Sequence, residues 1–331
     1  MPNNNNKAGT ANIMDQVLLA LAPGAACLAW FFGPGVLLNL VVAVGAAVGT
    51  EVLVLHLRKL PLTIAADRSA IVTGALLGLC LPPFLPLWLV AFGAAFALVF
   101  GKHLYGGLGQ NPFNPAMVGY AMLIVAFPLA MSLWPAPGTH GGDSFNSLNS
   151  LKSLDALNYK LGKPVADGIT MATPLDAFRF RNGATVSEFF KQSANMTEFG
   201  GKGWAWINLA FLAGGIYLVY RRLCDWVIPL AMLATLGLLA AVFYDGGSSH
   251  SLGSPLFHWF SGATMIAAFF IVTDPVTSPD GMAGRIVFGS GVGILVFIIR
   301  SIGAYPDGVA FAVLLMNATT PFLDQVRWRW T

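Results

Sequence analysis

After a polar, Asn-rich stretch ending at Gln16, the chain settles into apolar runs separated by short polar breaks. The runs predict ten helical spans near 17–32, 35–56, 69–82, 87–101, 115–131, 204–220, 226–243, 254–273, 286–303 and 309–322. Several fall short of the roughly 20 residues that a full bilayer crossing needs. Those at 69–82 and 87–101 are joined by Pro82-Pro83-Phe84-Leu85-Pro86, which no continuous helix passes through. Short or broken helices are tolerated in lipid only when protein surrounds them, so the pattern predicts a compact bundle. The expected fold class is an all-α polytopic membrane protein of about ten helices in two inverted five-helix repeats, with one long extracytoplasmic loop.

The repeat is faint. Thr73-Gly74-Ala75 opens one span, which ends near Pro82, and Ser261-Gly262-Ala263 opens another, which ends at Asp274-Pro275. Asn114-Pro115-Ala116-Met117-Val118-Gly119 and Asp307-Gly308-Val309-Ala310-Phe311 each lead into the last span of a half. Five spans per half is an odd number, so the halves are expected to be inverted, as in transporters with a midplane site. Chance matching among Ala/Gly-rich helices is the competing explanation. The expected division is a cytoplasmic tail (1–16), a first repeat (17–131), an extracytoplasmic loop (132–203), a second repeat (204–322) and a cytoplasmic tail (323–331).

Composition narrows the class. Hydrophobic residues make up 56% and charged residues 10%, against about 25% charged in soluble domains. That excludes a disordered chain and a water-soluble globule. The net charge of +3 is small and scattered, so no nucleic-acid partner is expected. With an internal N-terminus, the inner breaks hold Lys7, Arg58, Lys59, Arg68, Lys102, Arg221, Arg222, Arg285, Arg327 and Arg329. The outer breaks hold essentially none, and Arg300 lies near the outer end of its span, so both termini are expected in the cytoplasm. No charged n-region leads into a cleavable apolar segment, so no removed signal peptide is expected. The segment 132–203 holds 7 of the 18 Lys+Arg and 6 of the 15 Asp+Glu. A loop of that length is functional or disordered; some order is expected. Cys27, Cys80 and Cys224 form no CxxC and read as small buried hydrophobes. The histidines show no metal spacing, so no metal is expected.

Three motifs carry candidate chemistry. Asp167-Gly168-Ile169-Thr170-Met171-Ala172-Thr173 is a polar turn that presents a hydroxyl to water. A hydroxyl can take a phosphoester; the plain alternative is a side-chain-bonded loop turn. Gly101–Pro115, with Gly107, Gln110, Asn111 and Asn114, cannot be one continuous helix. Its amides suit a ring system with carbonyls and ring nitrogens, or a partly dehydrated ion; it is equally readable as a plain cytoplasmic turn. Glu51, within the second span, and Asp274, closing the eighth, are candidate ion-path acids, because a carboxylate at bilayer depth costs about 2.5–3.5 kcal/mol. For Asp274 the alternative is a helix C-terminal turn. No residue set suggests a catalytic acid, base or nucleophile in this chain alone.

In this order the motifs resemble the NqrB/RnfD family of membrane subunits of Rnf-type ion-translocating electron-transport complexes and of the sodium-pumping NADH:quinone reductase. The resemblance rests on Gly106–Tyr120, Asp167–Leu175, Ser261–Ala263 leading to Thr273-Asp274-Pro275-Val276-Thr277, and Tyr305–Leu315. It implies a subunit of a bacterial inner-membrane complex that couples electron transfer between ferredoxin and NAD to Na⁺ or H⁺ translocation. It further implies FMN held through a phosphoester to Thr173, with Asp167, Thr170 and Ala172 completing the flavinylation pattern; Met171 stands where Gly or Ser is usual. Implied partners are the other Rnf subunits (A, B, C, E and G), a flavin transferase and the lipid bilayer. A second, noncovalent flavin, riboflavin, is implied in the bundle, with Gly107, Gln110, Asn111 and Asn114 as its candidate contacts. The loop 132–203 would be periplasmic.

Ser261-Gly262-Ala263-Thr264 matches the short flavinylation core better than the Thr173 site, but lies in an apolar span with His258 where the acid should be. Asn182-Gly183-Ala184-Thr185 has Arg179 at that place. The rival readings are a channel or solute transporter without redox chemistry, and a structural anchor for a peripheral enzyme.

Overall fold

The computed structural model describes residues 4–135, 137, 170–193, 196–303, 305 and 307–326. The chain packs as two units, Met1–Met171 and Ala172–Thr331.

The first unit is built on helices Asn4–Phe32, Gly35–Leu57, Ser69–Cys80, Leu87–Gly101 and Pro115–Ala126. Local chemistry sets most boundaries. Gly33 takes φ +84° and Pro34 caps the next helix. Asn114 accepts the Met117 N–H at 3.2 Å, with Pro115 at the first helical position, where a missing N–H costs nothing. The first helix differs from expectation. It begins at Asn4 rather than near residue 17, because the start of an apolar run marks where lipid begins, not where a helix must stop. Nothing between Asn4 and Gln16 breaks it, and Asp15 on that polar extension is ion-paired with Arg68. A buried amide closes the proline break: Asn39 donates to the Pro82 carbonyl at 2.9 Å. Gly74 lets two helices meet closely; a Cβ there would lie 2.7 Å from the Cα of Val44. This is the small-residue packing expected of membrane helices.

The second unit carries helices Trp204–Tyr220, Val227–Val242, Pro255–Phe260, Thr264–Ile266, Met282–Ser301 and Val309–Gln325. The eighth expected span is not continuous. It unwinds at Ser261-Gly262-Ala263, where Gly262 takes φ +60°, and then runs through a π-turn at Ala267–Ile271. By contrast Thr73-Gly74-Ala75 lies inside a regular helix, so the two tripeptides do not play the same part.

Ahead of these helices, Pro174–Arg179 and Val186–Gln192 form a small cap over Leu175, Phe178, Val186, Phe189, Met196 and Phe257. Arg181 fastens it, donating to the carbonyls of Phe178, Ala184, Ser249 and Ser251. Strand is confined, among the described residues, to two short antiparallel pairs, Trp134–Pro135 with Thr170–Met171 and Met196–Thr197 with Gly200–Gly201.

The distribution of polarity is that of a membrane protein. Leu19, Val41, Leu129, Tyr220 and Leu238 face outward, whereas Asn39, Glu51, Lys102, Asn208 and Arg300 are buried. Among the described residues, Gly9–Phe32, Gly35–Leu57, Leu87–Tyr105 and Met282–Ser301 are long and apolar enough to cross a bilayer. The chain is an all-α polytopic membrane protein.

Candidate functional site

Thr173 caps the helix Pro174–Arg179. Its hydroxyl donates to Asp176 Oδ2 at 3.0 Å and accepts the Asp176 N–H at 3.3 Å. Thr173 is half-buried, and Ala172 beside it, with almost no side chain, is exposed. Burial pushes the Asp176 carboxyl above its ordinary range; the Thr173 hydrogen bond and Arg179 pull it back in part. Thr170 pairs with Pro135 in the short ladder. Asp167 lies outside the described residues.

The two other matching threonines are occupied. Thr264 is fully buried; its hydroxyl donates to the carbonyls of His258 at 2.7 Å and Ser261 at 2.9 Å, and accepts from Arg300 at 3.0 Å. Thr185 is locked in a reciprocal capping box with Glu188.

Around Thr264 the unwound segment is satisfied by side chains from distant helices. Asn208 donates to the carbonyls of Phe260 and Gly262 at 3.1 and 3.2 Å and accepts the Met265 N–H. Asp307 accepts the Ala263 N–H at 2.9 Å and pairs with Arg300 at 3.1 Å. Beside it lies a cavity of about 290 Å³ lined by Phe178, Arg181, Leu252, Phe257, His258 and Ser301. His258 donates from Nε2 to the Leu252 carbonyl at 2.9 Å, and its buried Nδ1 has no partner.

In the first unit the amide-rich turn divides its candidates. Asn114 serves as a helix cap. Asn111 is buried, with its Nδ2 on the Phe113 carbonyl and its Oδ1 without a partner. Gln110 is exposed, and Gly107 takes φ +117°. Asp274 is half-buried in a turn, where its Oδ1 accepts the Val276 N–H at 3.1 Å.

Glu51 is wholly buried, and its Oε1 is 2.5 Å from Lys102 Nζ. Lys102 is 2% exposed and also reaches Ser69 Oγ at 2.6 Å. Lys102 is the centre of a buried polar cluster. Sequence reasoning missed Lys102, Asp67, Ser69, Asn208 and Asp307 as site residues. The usable signal was a polar residue inside or just beyond a long apolar run, as at Asn208.

A model of the NQR2, RnfD, RnfE family matches residues 1–329. A protein of Ectopseudomonas mendocina, named as the D subunit of an ion-translocating oxidoreductase complex, is 49% identical over 317 residues, covering 95% of this chain and 89% of its own length. Proteins of the same name from Pseudomonas aeruginosa (strain PAO1) and Salmonella paratyphi B are 50% identical over 317 residues and 43% over 332. These cover 95% and 98% of this chain, and 89% and 94% of their own lengths.

Proposed function

The chain belongs to the NQR2, RnfD, RnfE family, and we propose that it is the membrane subunit of an Rnf-type complex that carries covalent FMN on Thr173. In this reading the complex couples electron transfer between ferredoxin and NAD to translocation of Na⁺ or H⁺. This chain sits in the bacterial inner membrane, with both termini cytoplasmic and the 132–203 loop periplasmic. The other Rnf subunits (A, B, C, E and G) supply the donor and acceptor sites, and a flavin transferase attaches the FMN.

The observation that carries the reading is the contrast between hydroxyls. Thr173 is half-buried beside an exposed alanine and its hydroxyl is bonded, among the described residues, only to Asp176 on its own helix, whereas Thr264 is fully buried and bonded to His258, Ser261 and Arg300. The residues fit a phosphoester: Ala172 leaves room for a bulky group, and Asp176 holds the hydroxyl proton. Bound FMN would supply the one- and two-electron chemistry that no side chain here provides. The chain's own residues orient it. The cap fixes Thr173 at a helix start, and its packing on Phe257 ties that helix to the second unit's bundle.

For riboflavin, Asn111 Oδ1 is the acceptor left free in the amide turn, with Gln110 and the open backbone at Gly107 beside it in sequence. Asn114 is committed to capping and offers less.

Peptide mass spectrometry on the purified chain, co-expressed with a flavin transferase, tests the reading. An FMN adduct on the Thr173 peptide, lost in Thr173→Ala and kept in Thr264→Ala, is expected. No adduct on any peptide, with a transferase proven competent, would overturn it in favour of a channel or solute transporter.

A further inference from the structure

We propose that Glu51, Asp67, Ser69 and Lys102 form a binding site for one exchangeable monovalent cation. Two carboxylates, Glu51 and Asp67, face a single ammonium, that of Lys102. All three residues are at least nine-tenths buried, with Glu51 at 0% and Lys102 at 2% exposure. Other neighbouring cations do not make up the deficit. Arg58 is exposed and its guanidinium donates to the His103 carbonyl at 3.2 Å; Arg68 is matched by Asp15. His103 is buried beside Lys102, and its Nε2 has no partner. The cluster thus has one more acidic than basic side chain, in a largely buried place.

Hydrogen bonding locates the vacancy on one atom. Lys102 Nζ donates to Glu51 Oε1 at 2.5 Å and to Ser69 Oγ at 2.6 Å, and stands 4.0 Å from Asp67 Oδ2. Asp67 Oδ1 accepts both the N–H and the O–H of Ser69, at 2.8 and 2.6 Å. Glu51 Oε2 has no donor at all. A buried carboxylate oxygen left bare is strongly unfavourable. A proton or a small hard cation satisfies it, since both seek anionic oxygen. A divalent metal does not fit: among the described residues no group of three or more His, Cys, Asp or Glu is placed to hold one. Lys102 fits as an internal competitor. A cation arriving on Glu51 weakens its hold on the ammonium, and Asp67 offers a second partner.

The proposal deepens the ion-coupling part of the functional reading and takes from it only what the cation is for. Its test makes no use of flavin, so an unmodified Thr173 leaves it standing, and its own failure leaves the FMN reading intact. The full-length chain in lipid nanodiscs is unfolded thermally in NaCl and in choline chloride at equal ionic strength, over a pH series. A midpoint that rises with Na⁺ over choline identifies sodium. A part of the rise with falling pH that is missing in Glu51→Gln identifies the proton, Asp176 contributing a pH response of its own that both chains share. Glu51→Gln is expected to abolish the Na⁺ response or that part of the pH response, and Asp67→Asn to weaken it. Lys102→Met, which leaves two carboxylates without their ammonium, is expected to reach half-saturation at ~10-fold lower cation concentration. Identical Na⁺ and pH responses in wild type and Glu51→Gln would overturn the proposal. Where Glu51→Gln does not fold, infrared difference spectra of the wild type decide. A protonated carboxyl band near neutral pH, or a Na⁺-induced carboxylate shift, supports the site; the absence of both overturns it.

Discussion

The hydroxyl of Thr173 is bonded to Asp176 in both directions: its O–H donates to the carboxylate Oδ2 at 3.0 Å, and the Asp176 backbone N–H donates back to the hydroxyl at 3.3 Å. A hydroxyl that attacks phosphorus must shed its proton, and Asp176 Oδ2 is already in place to receive it. Asp176→Ala is therefore expected to slow FMN attachment by ~100-fold, the low end for a positioned proton acceptor. In-gel flavin fluorescence against time, with transferase in excess, measures it. An unchanged rate would reduce Asp176 to a helix-capping role. Thr173→Ala should also lose about 1 kcal/mol of stability through the missing cap.

The same carboxyl predicts a pH dependence. Burial raises the Asp176 pKa in the folded chain above its unfolded value, so the folded chain binds that proton more tightly. The stabilisation is fully present below about pH 4, the unfolded value, and is lost as pH rises through the folded pKa. Asp176→Asn does not titrate. Its melting temperature should gain on the wild type as pH is raised from about 4 to about 7, and a gap constant with pH would contradict this.

Arg300 is 1% exposed at its side chain and holds Asp307, the His258 carbonyl and Thr264 together. Asp307→Ala leaves a buried guanidinium without its counter-charge, expected to cost about 3–5 kcal/mol. Differential scanning fluorimetry in detergent should show a large fall in melting temperature. A surface substitution such as Ser187→Ala serves as the control.

Cys224 is the most shielded of the three thiols. Burial pushes its pKa up to about 11, against a lowering hydrogen bond with Thr273. Only about one thiol in a thousand is then ionised at pH 8, and thiolate is the reactive form. Iodoacetamide should label it at a rate rising about tenfold per pH unit up to about 11. Rapid labelling at pH 8, followed by peptide mapping, would show the site to be more open than its burial implies.

Much of the fold was legible because lipid leaves little choice. The runs at 35–56, 87–101 and 204–220 were placed within a residue or two of helices Gly35–Leu57, Leu87–Gly101 and Trp204–Tyr220, since a crossing segment must bury its own backbone bonds. The break at Ser261–Ala263 was not legible. Its backbone is held by Asn208, which donates to the Phe260 and Gly262 carbonyls, and by Asp307, which accepts the Ala263 N–H, both far away in sequence, so locally it reads as one more apolar run. The pairing of Lys102 was not legible for a related reason: a charge at the end of an apolar run says nothing of a partner such as Glu51, 51 positions back along the chain. At the candidate flavin site the threonine was visible as a hydroxyl in a polar turn. Its partner Asp176 was passed over, although Thr-Pro-Leu-Asp is a helix-start pattern with proline at the first position.

The unwound segment at Ser261–Ala263 also bears on how the protein is made. Its Gly262 carbonyl finds Asn208, already synthesised, but Asp307, which accepts the Ala263 N–H, and Arg300, which donates to the His258 carbonyl, emerge from the ribosome later. Until they arrive, Pro255–Ile271 cannot be released into bare lipid without leaving backbone groups unpaired. The insertion machinery must therefore shelter this segment while Met282–Ser301 is threaded. A nascent chain arrested before Asp307 should remain bound there, open to chaperones and membrane proteases.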